Sequence, residues 1–310
     1  YFEIMQSLFT YGKILSKNEV RSEMAMHVLY NPLANNMHGA QSAAKIKQTI
    51  DRDNMTFEDI TQIDDITDYI LSLDDNEIVI AGGDGTLNRF INNFENWDIT
   101  DKCIYYYPAG SGNDFMRDVQ SASENGLIRL NDYVKQLPVV TVKGREYRFI
   151  NGVGYGIDGY CTQAGDELRA KSDKPINYTR IAIKGLLYDY HPVNASVTVD
   201  NVTRTYKKVW LAPTMNGRYY GGGMDVAPMQ NRFEENKKVS TVIMYGSGKL
   251  KTLRVFPSIF KGEHIEHKEM VDVLRGNSVT VEFDRPCALQ IDGETIPNVT
   301  SYSVKLYNEM

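Results

Sequence analysis

Cysteine is scarce in this chain of 310 residues, which carries three, Cys103, Cys161 and Cys287. They are far apart, odd in number and without CxxC or Cys/His spacing. That excludes a disulfide framework and a zinc site, and it fits a reducing cytoplasm. Long apolar runs are missing as well. No stretch approaches the roughly 20 residues that cross a bilayer, and no charged segment followed by an apolar core and cleavage site marks secretion. The expectation is a soluble cytoplasmic protein. Basic residues are outnumbered, 34 Lys and Arg against 40 Asp and Glu, for a net charge of -6. With no Lys/Arg block to follow a phosphate backbone, nucleic acid is not an expected partner. Internal repeats and low-complexity linkers are also absent.

What is present is an ordinary globular composition, 42% hydrophobic, 24% charged and 11% aromatic, in a chain long enough for two domains. Residues 1–25 read as an extension. Within it Ile4, Leu8, Tyr11 and Leu15 form one helical stripe, suited to docking on the protein or to lying on a membrane surface. From there the first half alternates β-branched or aromatic runs with helical patterns. Strands are predicted at Met26 to Tyr30, Phe57 to Thr61, Glu77 to Ala81 and Cys103 to Tyr107, and helices over Ala40 to Ile50, Asp64 to Leu73 and Leu87 to Phe94. This is a doubly wound α/β domain with a mostly parallel sheet, over 26–137. Past Leu137 the texture changes to closely spaced strands with tight turns at Lys143-Gly144, Asp200-Asn201 and Asp292-Gly293, and helical patterns near Tyr178 to Tyr190 and Lys249 to Phe260. A mainly antiparallel β domain is expected over 138–299. The last strand, Tyr302 to Leu306, is expected to return to the first domain with about residues 300–310, and the active site to lie in the cleft between the domains.

The strongest chemical signal is Ile78-Val79-Ile80-Ala81-Gly82-Gly83-Asp84-Gly85-Thr86-Leu87-Asn88: a buried-type strand, a glycine turn holding one acid, then a helix. Glycines let a phosphate approach the main chain, and N–H groups at the turn and helix start supply donors to its oxygens. Asp84 can then serve Mg2+ or the reacting hydroxyl. The bland alternative is a tight turn made for packing. A second turn of like design, Tyr107-Pro108-Ala109-Gly110-Ser111-Gly112-Asn113-Asp114-Phe115, follows the next strand, so both should meet at the carboxyl edge of the sheet. Ser111 can donate to a phosphate, and Asp114 can join a metal network or act as a plain helix N-cap. The first strand ends in Asn31-Pro32-Leu33-Ala34-Asn35 and the second at Thr61, each a weaker signal for nucleotide contact. Late in the chain Asp292-Gly293-Glu294 closes a strand; alone, it reads as a structural hairpin.

Taken together, the GGDGT and GSGND runs, Asn31-Pro32 and Asp292-Gly293-Glu294 occur in the order and spacing of the diacylglycerol kinase catalytic domain family, which includes bacterial lipid kinases and sphingosine kinases. The chain resembles that family over roughly Met26 to Leu306. GGDGT alone is shared with NAD kinases; joined to GSGNDF and DGE it is specific. The resemblance implies an ATP-dependent transfer of phosphate to a lipid hydroxyl, diacylglycerol foremost. It also implies ATP and Mg2+ as cofactors, transient contact with a membrane surface, and a cytoplasmic place at the inner membrane face. It implies nucleotide binding by Asn31, Pro32, Leu33, Ala34, Asn35, Thr61, Gly82, Gly83, Asp84, Gly85, Thr86, Leu87, Asn88, Gly110, Ser111, Gly112 and Asn113. Asp84 and Asp114 would serve the active-site magnesium, with Asp84 and Glu294 catalytic and Glu294 the acceptor of the hydroxyl proton. Asn151-Gly152-Val153-Gly154-Tyr155-Gly156-Ile157-Asp158 looks like the stretch that enters the second domain. There Asn151 and Asp158 would complete the acid network, or the glycines would form only a hinge.

Two departures stand out. Arg89 replaces the Glu that often follows GGDGTLN. Glu234-Glu235-Asn236-Lys237-Lys238 replaces an Asp-Asp-Gly turn that holds a structural magnesium ion in relatives, so that site is not carried over. Rival readings are an NAD kinase or other small-molecule kinase, and a nucleotide- or lipid-binding protein of the same fold without turnover. Oligomerisation carries no sequence signal, and a homodimer stays open.

Overall fold

The computed structural model describes residues 25–306 except 51, 53, 96, 98–100 and 172–175; the helical stripe expected over Tyr1 to Leu15 lies outside the described residues. The chain groups into two compact units, one running to Gly110 and taking in Ser121–Asp132, the other comprising Ser111–Gln120 and everything from Tyr133.

The first unit is built on β1 (Met26–Tyr30), β2 (Met55–Asp59), β3 (Glu77–Gly82), β4 (Cys103–Pro108) and β5 (Ile128–Arg129), in the order β2-β1-β3-β4-β5. The first four are parallel and β5 is antiparallel to β4. β3 is the middle strand, and all six of its residues are buried. A central parallel strand is covered on both faces, which selects an unbroken apolar run such as Ile78 to Ala81 rather than an alternating one. Val28, Ile46, Val79 and Ala81 pack in one core cluster. The helix expected over Ala40 to Ile50 is divided into Gly39–Ala44 and Ile46–Thr49 at Lys45. Residues Asp84–Asn93 form the helix that follows β3.

The second unit contains an antiparallel sheet whose main path is β15-β14-β11-β8-β16-β17-β6-β7, with β9 pairing β16 and β10. These strands are β6 (Val139–Val142), β7 (Arg145–Arg148), β8 (Gly152–Tyr155), β9 (Val193–Val199), β10 (Val202–Val209), β11 (Thr214–Met215), β14 (Val239–Met244), β15 (Val271–Gly276), β16 (Ser278–Ile291) and β17 (Glu294–Lys305). A small separate pair is formed by β12 (Tyr219–Tyr220) and β13 (Met224–Asp225). The three two-residue turns read from the sequence join β6 to β7, β9 to β10 and β16 to β17. Each has positive φ at both positions, 50° and 75° at Lys143-Gly144, 45° and 69° at Asp200-Asn201, 46° and 98° at Asp292-Gly293. That backbone matches strand twist and suits Asn, Asp and Gly. β9 shows the expected alternation, with Val193, Ala195, Val197 and Val199 inward in the core.

The grouping differs from the boundaries read from the sequence. Residues 111–120 and 133–137 belong with the second unit. The last strand does too: Tyr302 lies in β17, a 12-residue strand paired with β16 and β6 rather than with anything in the first unit. The second unit also holds a helix the sequence did not disclose, Ile157–Arg169. A Cβ on Gly159 would lie 1.9 Å from the carbonyl oxygen of Ala288. Glycine is therefore required there for helix and β16 to touch, although it normally weakens a helix interior.

Candidate nucleotide and acid sites

In the first unit, parallel pairing brings the carboxyl ends of β1, β3 and β4 side by side, with Tyr30 opposite Ala81 and Gly82 opposite Pro108. Hydrogen bonds then tie the loops that leave them. The Asn31 N–H donates to the Ala81 carbonyl at 3.0 Å, and Ala109 N–H donates to that of Gly82 at 2.9 Å. The Asn31 amide donates to the Thr86 hydroxyl at 2.8 Å, and its side-chain oxygen accepts from the Leu33 N–H at 2.9 Å. Asn31 thus fixes the glycine turn from the neighbouring strand. The Tyr106 hydroxyl donates to the Gly82 carbonyl from below.

The glycines have distinct reasons. A Cβ on Gly82 would sit 2.5 Å from Cβ of Thr86, so Gly82 is demanded by packing. At Gly83 the only neighbour is Cα of Gly110, at 3.3 Å. Gly83 therefore has room for a ligand approaching its main chain, flanked by the turn that ends β4. Asp84 opens the ten-residue helix Asp84–Asn93, where main-chain donors and the helix dipole favour anions. Leu87 and Asn88 are buried, so the helix holds them toward the core, and any contact with nucleotide would have to come from main chain. Arg89 is exposed. Asp59 caps the turn after β2, its side-chain oxygen accepting from the Thr61 N–H and hydroxyl at 2.9 and 2.7 Å. Leu33 is largely exposed, Ala34 begins the short helix Ala34–Met37, and Asn35 has φ of 50°.

In the second unit, Ser111 and Gly112 lead to Asn113, left-handed at φ 53°, and to the helix Asp114–Val119. Asp114 is buried and accepts from the Gly222 N–H at 2.8 Å. One helical turn on, Asp118 is ion-paired with Arg232, each side chain less than a tenth exposed. The same guanidinium donates to the Ile150 carbonyl and, at 2.8 Å, to the Asn151 side-chain oxygen. Sequence reading missed Asp118 and Arg232. The spacing of Asp114 and Asp118 on one helical face was a usable signal, whereas Arg232 sits in irregular chain and had none.

Asp292 proves to be a clamp. Its carboxylate accepts from the N–H groups of Ile150 at 2.6 Å, Asn151 at 2.8 Å and Gly152 at 2.9 Å. An acid satisfied by three main-chain donors holds structure together. Two residues on, half-buried Glu294 opens β17, opposite Ile291. Asp158, in the first turn of the helix Ile157–Arg169, is buried. Burial pushes its carboxyl up to about 6, opposed by the 2.9 Å hydrogen bond it accepts from Tyr220. Burial likewise pushes the Cys161 thiol up to about 12. Lys237, in the segment that replaces the relatives' metal turn, is pushed down to about 8 by burial and by the nearby Arg232, and donates to the Gln136 carbonyl at 2.9 Å.

Among the described residues, no group of three or more His, Cys, Asp or Glu could hold a metal ion. Asp84 and Asp114 lie in different units, and Asp114 spends one oxygen on Gly222. A magnesium ion commonly takes one or two carboxylates and completes its shell with substrate phosphates and water; Asp84 in the first helical turn fits that limited part. No described helix is long and apolar enough to cross a membrane.

A glycine turn at the carboxyl edge of a parallel sheet, followed by an acid on a helix start, is suited to holding a phosphate, and the family models place the chain among kinases. The diacylglycerol kinase catalytic domain model matches residues 25–139. The YegS C-terminal NAD kinase beta sandwich-like domain matches residues 151–305. The chain is 26% identical over 248 residues to "Putative lipid kinase YtlR" of Bacillus subtilis (strain 168), covering 75% of this chain and 77% of that one. It is 26% identical over 212 residues to a "Diacylglycerol kinase" of Mycobacterium tuberculosis, covering 66% of each. A crystal structure of a diacylglycerol kinase from Bacillus anthracis superposes with a TM-score of 0.56 over 92% of this chain and 94% of that one, at 17% identity, which speaks to fold. The chain belongs to the diacylglycerol kinase family of lipid kinases.

Proposed function

We propose that the protein transfers the γ-phosphate of ATP to the hydroxyl of a lipid alcohol, with diacylglycerol the foremost acceptor. The observation that carries this reading is the junction of three strand ends at Gly83, where a ligand can reach main chain beside Asp84. Phosphoryl transfer asks chiefly for alignment and for neutralisation of charge on the equatorial oxygens. Gly82 to Thr86, steadied by Asn31, hold the phosphates, and Asp84 supplies a carboxylate for the magnesium that accompanies them. Ser111 to Asn113 add donors. The acceptor oxygen attacks the γ-phosphorus as the bond to the β-phosphate oxygen breaks, ADP leaves with that electron pair, and the hydroxyl proton passes to Glu294. Asp292 is not the base, because three N–H groups already hold its carboxylate.

Incubation with ATP, Mg2+ and a panel of lipid alcohols, NAD included as a competitor, tests the reading by mass spectrometry of the product. A phosphorylated diacylglycerol is expected. Phosphorylation of NAD and of no lipid would overturn it.

A further inference from the structure

Two segments of the second unit carry an unusual surface. One is the helix Tyr178–Lys184 continuing into the π-helical turn Gly185–Asp189; the other is the helix Lys249–Val255 continuing through Phe256–Lys261. The Lys249 ammonium donates to the Leu187 carbonyl at 2.9 Å, which sets the two side by side. At that seam Leu250 is 80% exposed and Tyr188 69% exposed, with Ile183 also exposed on the first segment. No core requirement explains large apolar groups so fully in water.

The charge is as uneven as the polarity. Residues 178–189 and 249–261 together hold six Lys or Arg and one acid, Asp189, in a chain whose net charge is -6. Lys184 is offset by Asp189 at 3.2 Å and Lys251 by Glu269 at 2.9 Å. Arg254 and Lys261 have no ion-pair partner among the described residues.

We propose that this surface docks the protein on an anionic bilayer, with Tyr188 and Leu250 entering the interface while the surrounding Lys and Arg meet lipid phosphates. Apolar tips ringed by flexible basic side chains match a membrane interface, where Tyr is favoured and Lys keeps its charge among the headgroups. The chain as a whole carries a net charge of -6, so this basic patch differs in sign from the molecule's mean and favours one orientation of docking. The proposal rests on the lipid-kinase reading for its purpose, since a kinase of bilayer lipids has to meet its acceptor there. Its test does not depend on turnover.

The full chain is sedimented with vesicles of phosphatidylcholine alone or with a one-third share of phosphatidylglycerol. Binding is expected to the anionic vesicles only, and to weaken at high salt. Arg254→Gln with Lys261→Gln should weaken it about 25-fold, at about fivefold per basic residue. Tyr188→Ser with Leu250→Ser should weaken it about tenfold or more. All four positions are exposed, so melting temperatures should hold. Turnover on a short-chain, water-dispersed diacylglycerol should also hold, while turnover on vesicle-embedded substrate falls. Absence of vesicle binding, or binding indifferent to these substitutions, overturns the proposal. If the parent protein phosphorylates no lipid in either form, the functional reading fails instead, and the vesicle result still decides the docking surface.

Discussion

Asp292 and Glu294 stand two residues apart in one hairpin; three main-chain N–H groups hold the first, the second is the proposed proton acceptor, and experiment can separate the two. In Asp292→Asn the retained oxygen can still accept from Asn151 and Gly152, now at neutral strength, but the new NH2 faces the Ile150 N–H that Asp292 accepts from at 2.6 Å. Hydrogen bonds to a charged group are worth about 1.5–3 kcal/mol, so losing one and weakening two should cost about 3–5 kcal/mol. At about 2–4 °C per kcal/mol for a unit of this size, the melting temperature should fall by roughly 10 °C. Glu294→Gln alters a half-buried side chain at the strand start, and its effect on stability should stay within about 0.5 kcal/mol. If Glu294 accepts the hydroxyl proton, the chemical step should slow by about 10² or more with ATP affinity little changed. The assay is single-turnover phosphorylation of the preferred lipid beside a thermal melt. Near wild-type turnover in Glu294→Gln would remove it from the mechanism and leave Asp84 as the likelier base. An unshifted melt in Asp292→Asn would refute the clamp.

Asp84→Asn should nearly abolish turnover with the fold intact, because the turn is shaped by its glycines and by Asn31; normal activity in a folded variant would count against the site. Gly83→Val should raise the ATP dissociation constant, since the added Cβ would lie 3.3 Å from Cα of Gly110 and occupy the approach to main chain; calorimetry showing unchanged affinity would contradict it. The Asp158 carboxyl, at about 6 when folded, binds its proton more tightly than an unfolded Asp near about 3.9, so stability falls as pH rises across that interval and stays lower above it. Asp158→Asn should therefore raise the free energy of unfolding at neutral pH by on the order of 1–3 kcal/mol, read as a higher melting temperature, and leave the melt almost unchanged near the unfolded value. Equal effects at both pH values would discredit the buried-acid account. Chelation of divalent ions in the absence of nucleotide should not shift the melt; a rise on adding Mg2+ alone would reveal a structural ion after all.

The legible parts of the fold were those where one local rule decides. β3 was readable because a strand covered on both faces is apolar throughout, β1 and β4 because apolar and aromatic residues dominate them, and the three hairpins because each contains Gly, Asn or Asp, which tolerate positive φ. The glycine turn was readable for the same reason of backbone freedom. What escaped were features whose cause lies elsewhere in the chain. The helix Ile157–Arg169 was hidden by Gly156 and Gly159, which look like loop residues until Trp210 and Ala288 are seen pressed against them: a Cβ at Gly156 would lie 2.5 Å from the Trp210 carbonyl oxygen. The allegiance of the last strand depends on pairing with β16 and β6, which nothing within 302–306 encodes. Arg232 acquires meaning only once Asp118, Ile150 and Asn151 surround it.

The carboxylates show most clearly why residue type and spacing stop short of role. Asp84, Asp114, Asp158, Asp292 and Glu294 all stand in or beside glycine-rich segments, which marks them as candidates of unequal weight, Asp84 foremost, without fixing what each does. The surroundings then part them. Asp292 is held by three N–H groups and Asp114 by one from Gly222, so both spend acceptor capacity on the main chain. Asp158 is buried beside Tyr220 and holds its proton more tightly than an exposed acid, so its ionisation costs stability. Asp84 opens a helix beside the open main chain of Gly83, and Glu294 is the half-buried carboxylate at the start of a strand. A metal carrier needs an ionised group and a proton acceptor needs a group that changes state, so environments that push otherwise like acids apart are what make a division of labour possible. The Asp158→Asn and Glu294→Gln variants test that division from opposite sides: the first should gain stability, the second should lose turnover with stability unmoved. If both changed stability alone, the acids would be structural and the phosphotransfer reading would have to rest on Asp84 by itself.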